Sequence, residues 1–365
     1  KAKNGTYILH KLTTREKGNL PSVSIVDLRE ELQQGNKSIF SNKLQTLIND
    51  RLEKKEQTML FINRRGFAGF VSCRSCGEVL KCPHCDVSLT EHNNGKLICH
   101  YCGYTQPMPK LCPKCGSKYI LGFKAGTQQI EDKLKELYPG VRTLRMDADT
   151  TRTKDSYEKI LSAFANGEAD VLIGTQMIVK GHDFPKVTLV GILAADLSLN
   201  ASDYRAGERT FQLLTQAVGR AGRGALPGEA VIQTYQPDHY AITCAAAQDY
   251  KSFYEEEILY RELSGYPPAA HMLAVQIYGK EEENVKQLAQ RLADVVKSNM
   301  DFLQILGPTP ANISKINDIY RYVFYAKHAE YDTLVAVKDC VEETLRQWQP
   351  RQLSIQFDFD PVNVL

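Results

Sequence analysis

Residues 170–185 decide the fold, and they read DVLIGTQMIVKGHDFP. The short apolar run at 171–173 is typical of a buried strand, and polar Thr175 and Gln176 follow it almost directly. In open α/β sheets, ligands bind beyond the carboxyl ends of the strands. The stretch therefore predicts an α/β sheet with Thr175 at its ligand-binding edge.

The segments around this stretch alternate between strand and helix patterns. Helical patterns occupy, for example, residues 128–137 and 154–166. Apolar, β-rich runs predict strands at residues 58–63, 119–123, 142–147, 170–175, 188–194 and 230–235. Such alternation predicts a mostly parallel sheet that is covered on both faces.

A different pattern begins after Pro237. We expect one long helix over residues 241–263, followed by a separate small domain. Its predicted elements are strand 271–278, helix 281–299, strands 302–306 and 319–327, helix 330–348 and strand 353–359. The order βαββαβ is that of a two-layer α+β domain.

Strand 319–327 carries alternating aromatic residues. The alternation puts Tyr320, Tyr322 and Phe324 on one face, which we interpret as the core face. Arg321 is a candidate nucleic-acid contact, because Arg and Tyr interleave in such sites.

Eight of the ten cysteines lie between residues 73 and 115, directly after the first strand of the α/β pattern. They form four Cys-x-x-Cys pairs, namely Cys73 and Cys76, Cys82 and Cys85, Cys99 and Cys102, and Cys112 and Cys115. Two such pairs complete one tetrahedral zinc site, so the sequence predicts two Zn²⁺ ions per chain in an inserted module. A disulfide scaffold or a redox-active pair fits less well, because the rest of the chain has the pattern of an intracellular α/β protein.

The spacing favours a nested arrangement of the four pairs. The inner pairs 82/85 and 99/102 would share one ion across a hairpin, and the outer pairs 73/76 and 112/115 would share the other. Sequential pairing remains open, since five residues between Cys76 and Cys82 are few but sufficient.

The overall composition excludes some classes of protein. The chain has 365 residues with 45 Lys and Arg against 43 Asp and Glu, so its net charge is only +2. Such a balance gives no electrostatic case for a polyanionic partner. The apolar runs are shorter than the roughly 18–20 residues that span a membrane, so we expect no membrane association.

Two arginines carry the chemistry of a second motif. Residues 216–223 read QAVGRAGR, which resembles the Q-x-x-G-R-x-x-R motif VI of superfamily 2 helicases. On a helix, Arg220 and Arg223 would share one face and reach the γ-phosphate of a bound triphosphate. The resemblance adds Gln216 and Gly219 to the ATP site.

Two further stretches resemble motifs of the same superfamily. Residues 174–185 resemble motif V, which implies that Thr175 and Gln176 face the DNA backbone and that Gly181 and Asp183 lie near the nucleotide. Residues 58–67 resemble motif IV, and the implied DNA contacts there are Asn63, Arg64 and Arg65.

With the four cysteine pairs between motifs IV and V, the chain resembles the PriA family of bacterial replication-restart helicases. Residues 126–129, 145–150 and 358–361 share in this resemblance. It implies a RecA-like second helicase lobe that carries the zinc insert and is followed by a C-terminal domain. The segments would be lobe 2 at residues 1–72 and 117–238, the insert at 73–116, and a linker helix with a DNA- or protein-binding domain at 239–365.

The family resemblance also implies a function. It is that of an ATP-dependent 3′→5′ DNA helicase that recognises stalled or branched forks and initiates primosome assembly. The implied partners are branched and single-stranded DNA, the single-stranded-DNA-binding protein and other primosome proteins, including the machinery that loads the replicative helicase. The protein would be a monomer in the bacterial cytoplasm, associated with the nucleoid.

One requirement of this function is missing from the sequence. No G-x-x-x-x-G-K-[ST] motif occurs in it. We therefore expect the chain to be the C-terminal portion of a longer protein, with ATP and Mg²⁺ bound only together with a first lobe, and to be inactive alone as an ATPase. The alternative is a non-enzymatic, zinc-stabilised scaffold that binds DNA or protein.

Overall fold

The structure is a computed structural model. It describes residues 5–8, 10, 20–62, 71–84, 87–91, 95–99, 102–122, 126–147, 150–151, 154–179, 183–201, 203–300, 303–350 and 352–362.

The described residues form strands and helices throughout the chain. The strands are β1 (Ser22–Asp27), β2 (Gln57–Phe61), β3 (Val71–Cys73), β4 (Thr90–Glu91), β5 (Lys96–Ile98), β6 (Thr105–Pro107), β7 (Ile120–Gly122), β8 (Thr143–Met146), β9 (Val171–Gly174), β10 (Val187–Ile192), β11 (Glu229–Thr234), β12 (His271–Gly279), β13 (Gln304–Ile316), β14 (Ile319–His328) and β15 (Leu353–Phe359). The helices are α1 (Leu28–Gln33), α2 (Asn42–Lys54), α3 (Thr127–Leu137), α4 (Lys154–Ala165), α5 (Asp196–Leu199), α6 (Ala206–Val218), α7 (Tyr240–Ala247), α8 (Tyr250–Ser264), α9 (Glu282–Asn299) and α10 (Tyr331–Trp348).

The chain divides into two compact units. The first unit comprises Lys1–Arg65, Ala125–Ala195 and Gln212–Pro237. The second comprises Gly66–Lys124, Asp196–Phe211 and Asp238–Leu365, so the cysteine-rich segment belongs to the same unit as the C-terminal domain. None of the described helices is long and apolar enough to cross a membrane.

The first unit is built on a six-stranded sheet in the order β1-β11-β10-β2-β9-β8. All of its neighbouring strands run parallel, as the alternating pattern predicts. Every residue of β2, β9 and β10 is buried, which is the pattern of strands covered on both faces. The predicted parallel α/β fold is confirmed.

Helix α2 packs on the centre of this sheet. Gly191 in β10 leaves room for it, because a Cβ at this position would lie 3.0 Å from the side chain of Leu44 in α2. The helix begins at Ser41, whose Oγ accepts a hydrogen bond from the N–H of Leu44. Near its other end, buried Arg51 forms ion pairs with Glu56 and with Glu229 of β11. Sequence analysis missed β1, α1 and α2.

The second unit contains a four-stranded antiparallel sheet in the order β13-β14-β12-β15. Helices α9 and α10 cover one face, where Val275, Phe324 and Leu334 belong to one buried cluster. The predicted βαββαβ domain and the buried position of Tyr322 and Phe324 are confirmed.

Three details of the predicted elements are wrong. The single helix 241–263 is two helices, α7 and α8, because Gln248 adopts a left-handed φ of 55° and Asp249 caps the second helix through the N–H of Ser252. Strand 302–306 continues to Ile316 as the first arm of a hairpin. Strand 119–123 does not join the parallel sheet; its central residues form β7, which pairs antiparallel with β3 and closes the base of the cysteine-rich segment.

Gly222 offers a test of the first unit's packing. Its φ is +68°, and an added Cβ would lie 2.6 Å from the backbone nitrogen of Gly228. We expect Gly222→Ala to lower the free energy of unfolding by about 1–2 kcal/mol for the left-handed backbone, with about 1–3 kcal/mol more for the overlap. Urea unfolding followed by circular dichroism measures the loss.

Gly35→Ala is the matched control. Gly35 has a φ of +90°, but an added Cβ meets no atom within 4 Å, so only the backbone cost should appear. Equal losses in the two variants would contradict the close approach of Gly222 to Gly228.

Candidate functional site

The two arginines of residues 216–223 lie in a turn, not on a helix. Helix α6 ends at Val218, and the predicted shared helix face is therefore wrong. Beyond Val218 the N–H groups of Arg220 and Ala221 donate to carbonyls three residues back, at 3.0 and 3.2 Å, and left-handed Gly222 then turns the chain so that its N–H donates to the carbonyl of Val187 at 3.0 Å. Arg220 and Arg223 nevertheless converge, because both guanidinium groups lie beside Asp183.

Arg220 is held firmly in place. Its side chain is only 10% exposed, and its Nε donates to the carbonyl oxygen of Val179 at 2.8 Å. Burial lowers the pKa of Arg220, and the positive charge of Arg223 lowers it further, while Asp183 opposes both effects. The guanidinium thus has a fixed position and a nearby negative charge that stabilises it.

Arg223 is the more accessible of the two. Its side chain is 31% exposed, its Nε donates to the carbonyl oxygen of Gly219 at 2.9 Å, and its Nη1 forms an ion pair with Asp183. The Asp183 side chain is 61% exposed. A solvent-facing carboxylate therefore pairs with a partly exposed guanidinium. An incoming anion can take the place of that carboxylate.

Two of the other predicted nucleotide residues, Gln216 and Gly219, lie where this turn begins. Gln216 is exposed on the last turn of α6, and Gly219 follows the end of that helix. Gly181 lies outside the described residues. The structure thus brings Asp183, Gly219, Arg220 and Arg223 together.

Two of the predicted DNA contacts, Thr175 and Gln176, lie at a different edge of the sheet. Thr175 directly follows the carboxyl end of β9, and its N–H donates to the carbonyl of Met146, at the end of β8, at 3.3 Å. Its neighbour Gln176 is partly exposed. Asn63, Arg64 and Arg65 lie outside the described residues. The turn that contains Arg220 and Arg223 is residues 219–223, and we call it the arginine turn. By contrast with Thr175, it is bonded to the amino end of β10, where the N–H of Gly222 donates to the carbonyl of Val187.

Sequence analysis gave no role to a polar cluster at the same edge as Thr175. Asp147 follows β8 and is buried; it accepts a hydrogen bond from the Thr127 hydroxyl at 2.5 Å and lies 2.9 Å from Nε of Arg145. The N–H of Thr150 donates to the same carboxylate at 3.0 Å. The cluster fixes the start of α3 to the end of β8. Its signal in the sequence was the polar Asp147 at the end of the predicted strand 142–147.

The outer cysteine pairs form one cluster. The sulfur atoms of Cys73, Cys76, Cys112 and Cys115 all lie within 4.8 Å of one another. The sulfurs of Cys73 and Cys115 are 3.6 Å apart, and those of Cys76 and Cys112 are 3.7 Å apart. A zinc ion with tetrahedral Zn–S bonds of about 2.3 Å requires sulfur separations of about 3.8 Å. The donor set and spacing of this cluster fit zinc.

The inner pairs form a second cluster. The sulfurs of Cys82, Cys99 and Cys102 lie within 4.8 Å of one another, with 3.5 Å between Cys82 and Cys102. Cys85 lies outside the described residues. The grouping of the described cysteines is the nested one, not the sequential one.

The backbone around these cysteines has the geometry of metal-binding turns. The glycine after the second cysteine has positive φ in three pairs, and its N–H donates to the carbonyl of the first cysteine at 2.8–2.9 Å; these are Gly77, Gly103 and Gly116. Burial raises the pKa of the Cys76 thiol to about 12. Burial has the same effect on Cys73, but hydrogen bonds from the backbone of Cys76 and Ser75 outweigh it and lower the pKa to about 7. Four thiolates at this separation repel one another, so a cation is needed to ionise all of them.

Three parts of the chain match known domain families. Residues 262–362 match the Primosomal protein N C-terminal domain, residues 82–107 the PriA DNA helicase Cys-rich region domain, and residues 111–225 the helicase conserved C-terminal domain. The replication restart protein PriA of Bacillus subtilis is 44% identical over 365 residues. Over nearly its whole length the chain is therefore similar to PriA proteins.

The chain spans about half the length of the curated PriA proteins that it matches. The alignment with the Bacillus subtilis protein covers 99% of this chain and 45% of that protein. PriA of Synechocystis is 43% identical over 351 residues, which cover 94% of this chain and 42% of that protein. Among solved structures, the Pyrococcus furiosus Hef helicase domain overlaps with a TM-score of 0.26 and 17% identity, covering 53% of this chain and 24% of that one. That overlap is too small to support an argument.

Removing one ligand tests the outer zinc cluster. We expect Cys73→Ser to lose one zinc ion and keep the ion of the inner cluster, because each cluster has its own thiolates. Elemental analysis of the purified chain, which should contain two ions, measures the zinc content.

Cys340→Ser is the control, since Cys340 is a free cysteine in α10 and should leave the zinc content unchanged. Loss of both ions in a folded Cys73→Ser chain, or loss of neither, would contradict two independent clusters.

Proposed function

We propose that the chain is the C-terminal part of an ATP-dependent 3′→5′ DNA helicase that restarts replication at stalled or branched forks and initiates primosome assembly. Its similarity to PriA proteins and its match to the helicase conserved C-terminal domain support the general role. The observation that carries the motor function is the arginine turn, where Arg220 and Arg223 meet at Asp183.

Arg223 is the proposed arginine finger. A first lobe, outside this chain, holds the triphosphate and Mg²⁺, and its domain closure brings the γ-phosphate to the arginine turn. The phosphate then replaces Asp183 as the partner of Arg223 and is stabilised as charge develops on it. Arg220 supports this from a fixed position, because its bonds to the Val179 carbonyl hold the guanidinium in place. Gln216, Gly181 and Gly219 complete the nucleotide contacts.

The proposed DNA contacts lie at the carboxyl edge of the sheet. Thr175 and Gln176 would bind the DNA backbone there, and Asn63, Arg64 and Arg65 are the other proposed DNA contacts. Seven residues separate Thr175 at the carboxyl edge from Asp183 beside the arginine turn, and this short segment joins the two sites. Nucleotide binding at one of its ends is therefore linked through the chain to DNA binding at the other.

The cysteine clusters have a structural role in this proposal. Two Zn²⁺ ions hold a segment whose strands are only two or three residues long. This module and the C-terminal domain would contact branched and single-stranded DNA, the single-stranded-DNA-binding protein and the primosome proteins that load the replicative helicase. The protein would act as a monomer in the bacterial cytoplasm, at the nucleoid.

Arg223→Ala tests the finger. In the full-length protein we expect DNA-stimulated ATP turnover to fall by roughly 10³-fold or more, because the charge that stabilises the transition state is lost. The steady-state rate of phosphate release measures this turnover. The zinc content of the variant should not change.

Arg142→Ala is the matched control. Arg142 is also an exposed arginine of the first unit, but it pairs with Asp170, far along the chain from the turn. The Arg142→Ala variant should hydrolyse ATP at the wild-type rate. Wild-type turnover in Arg223→Ala would overturn the motor assignment and favour the non-enzymatic scaffold.

A second prediction concerns the chain by itself. Residues 1–365 contain the arginine turn but no P-loop motif, so the isolated chain should not hydrolyse ATP above background with or without single-stranded DNA. The same phosphate-release measurement applies, and DNA-stimulated turnover by the isolated chain would refute the prediction.

A further inference from the structure

Thr175, the first proposed DNA contact, is placed by the end of the neighbouring strand. The register pairs Met146 of β8 with Gly174 of β9, so Asp147 and Thr175 are the first residues beyond the two strands. The N–H of Thr175 donates to the carbonyl of Met146 at 3.3 Å. Gly174 permits this close approach, because an added Cβ there would lie 2.7 Å from the same carbonyl oxygen. The position of Thr175 therefore depends on where the end of β8 lies.

The carboxylate of Asp147 ties the end of β8 to two other pieces of the chain. Its Oδ2 accepts a hydrogen bond at 2.5 Å from the hydroxyl of Thr127, the first residue of α3. Its Oδ1 accepts one at 3.0 Å from the N–H of Thr150. Gly126, the N-cap of α3, has no side chain that could bond to the start of the helix. The bond between Thr127 and Asp147 therefore fixes the start of α3 against β8.

Thr151 extends these bonds to the segment that follows Thr175. The Thr151 hydroxyl donates to the carbonyl oxygen of Asp147 at 2.5 Å and lies 3.6 Å from the sulfur of Met177. The next residue, Ile178, is buried, and its N–H donates to the carbonyl of Thr175 at 3.1 Å. Thr175 is thus supported on both sides. We name Thr127, Asp147, Thr150 and Thr151 the Asp147 cluster.

The charges of this region are balanced. The Asp147 carboxylate lies 2.9 Å from Nε of Arg145. Arg145 also lies 3.6 Å from Glu131, which forms an ion pair with Lys135 at 2.8 Å. Two cations thus match two carboxylates, so no excess negative charge at this edge repels a phosphate. Because Asp147 is itself an anion and is buried, it acts on a phosphate contact through geometry rather than by touching the phosphate.

We propose that the Asp147 cluster positions Thr175 for the DNA backbone, with Thr127 and Asp147 as positioning residues. A binding group has to be held to within about half an ångström, and hydrogen bonds from neighbouring side chains supply this support. Without the Thr127 hydroxyl, a buried carboxylate oxygen loses its donor and the end of β8 shifts relative to α3. Thr175 moves with it, because its N–H is bonded to Met146. The inference rests on the proposed function, since it takes the DNA backbone as the ligand of Thr175.

Thr127→Val tests the support, because valine has nearly the shape of threonine but no hydroxyl. In the full-length protein, we expect the concentration of single-stranded DNA that gives half-maximal ATP turnover to rise about tenfold, since a hydrogen bond to a charged group contributes at least this factor. Turnover at saturating DNA should stay within about twofold of the wild type, because the arginine turn is unchanged. Phosphate release measured over a DNA titration gives both values.

Thr127→Ser is the matched control. Serine keeps the hydroxyl, so this variant should need no more DNA than the wild type. Melting temperatures check that both variants fold. Equal weakening of Thr127→Ser and Thr127→Val would show that the hydroxyl is not responsible and would overturn the proposal.

A double-mutant cycle separates positioning from a general loss of stability. Thr175→Val should itself raise the half-maximal DNA concentration. Adding Thr127→Val to it should raise that concentration little further, because Thr127 acts through Thr175. Additive effects of the two substitutions would mean that Thr127 acts elsewhere, and the positioning role would be wrong.

The outcomes distinguish this inference from the proposed function. If Thr175→Val weakens DNA binding but Thr127→Val does not, the proposed DNA contact stands and the positioning role is overturned. If neither variant weakens it, the proposed contact and its positioning both fail. Fluorescence anisotropy with a labelled single-stranded oligonucleotide compares the same variants without ATP turnover. A failure of the arginine finger therefore leaves this test intact.

Discussion

Parallel hydrogen bonding of β10 between β2 and β11 is the constraint on which the first unit depends. A strand buried on both faces must satisfy all of its backbone groups within the sheet, and its apolar side chains hold helices such as α2 against it. Parallel strands place all of their carboxyl ends at one edge. Thr175 and Asp147 therefore share that edge, while the amino end of β10 receives the arginine turn through Gly222.

The second unit meets a different constraint. Residues 71–122 form strands too short to make a core of their own, so sulfur clusters hold the turns and the remaining apolar residues join a larger cluster. Leu80, Leu89 and Leu97 are buried in that cluster together with Met272 and Tyr325 of the C-terminal sheet. The cysteine-rich segment and the C-terminal domain therefore share one core, which explains why they form one compact unit.

Much of this could be predicted from the sequence, because the signals are local. Apolar runs indicated the strands, and Cys-x-x-Cys spacing indicated the clusters. The errors arise where a single residue, or a partner distant in the sequence, determines the local structure. Gln248 interrupts a helical pattern with a left-handed backbone, α6 ends at Val218 before both arginines in a turn that left-handed Gly222 closes, and β7 pairs with β3 rather than with the parallel sheet. Asp183 could be placed beside the arginines only by a family resemblance, since it is forty positions from Arg223 in the sequence.

The near-zero net charge of the chain is compatible with anion binding because the relevant charges are arranged locally. Asp183 offsets the two guanidinium groups in the free protein, and it is much more exposed than either of them. An exposed ion pair contributes only about 0–1 kcal/mol, so a phosphate can replace Asp183 at little cost. Arg220 meanwhile keeps its bonds to the Val179 carbonyl, since these do not involve the carboxylate. The turn can therefore exchange its anion without losing the geometry that positions its cations.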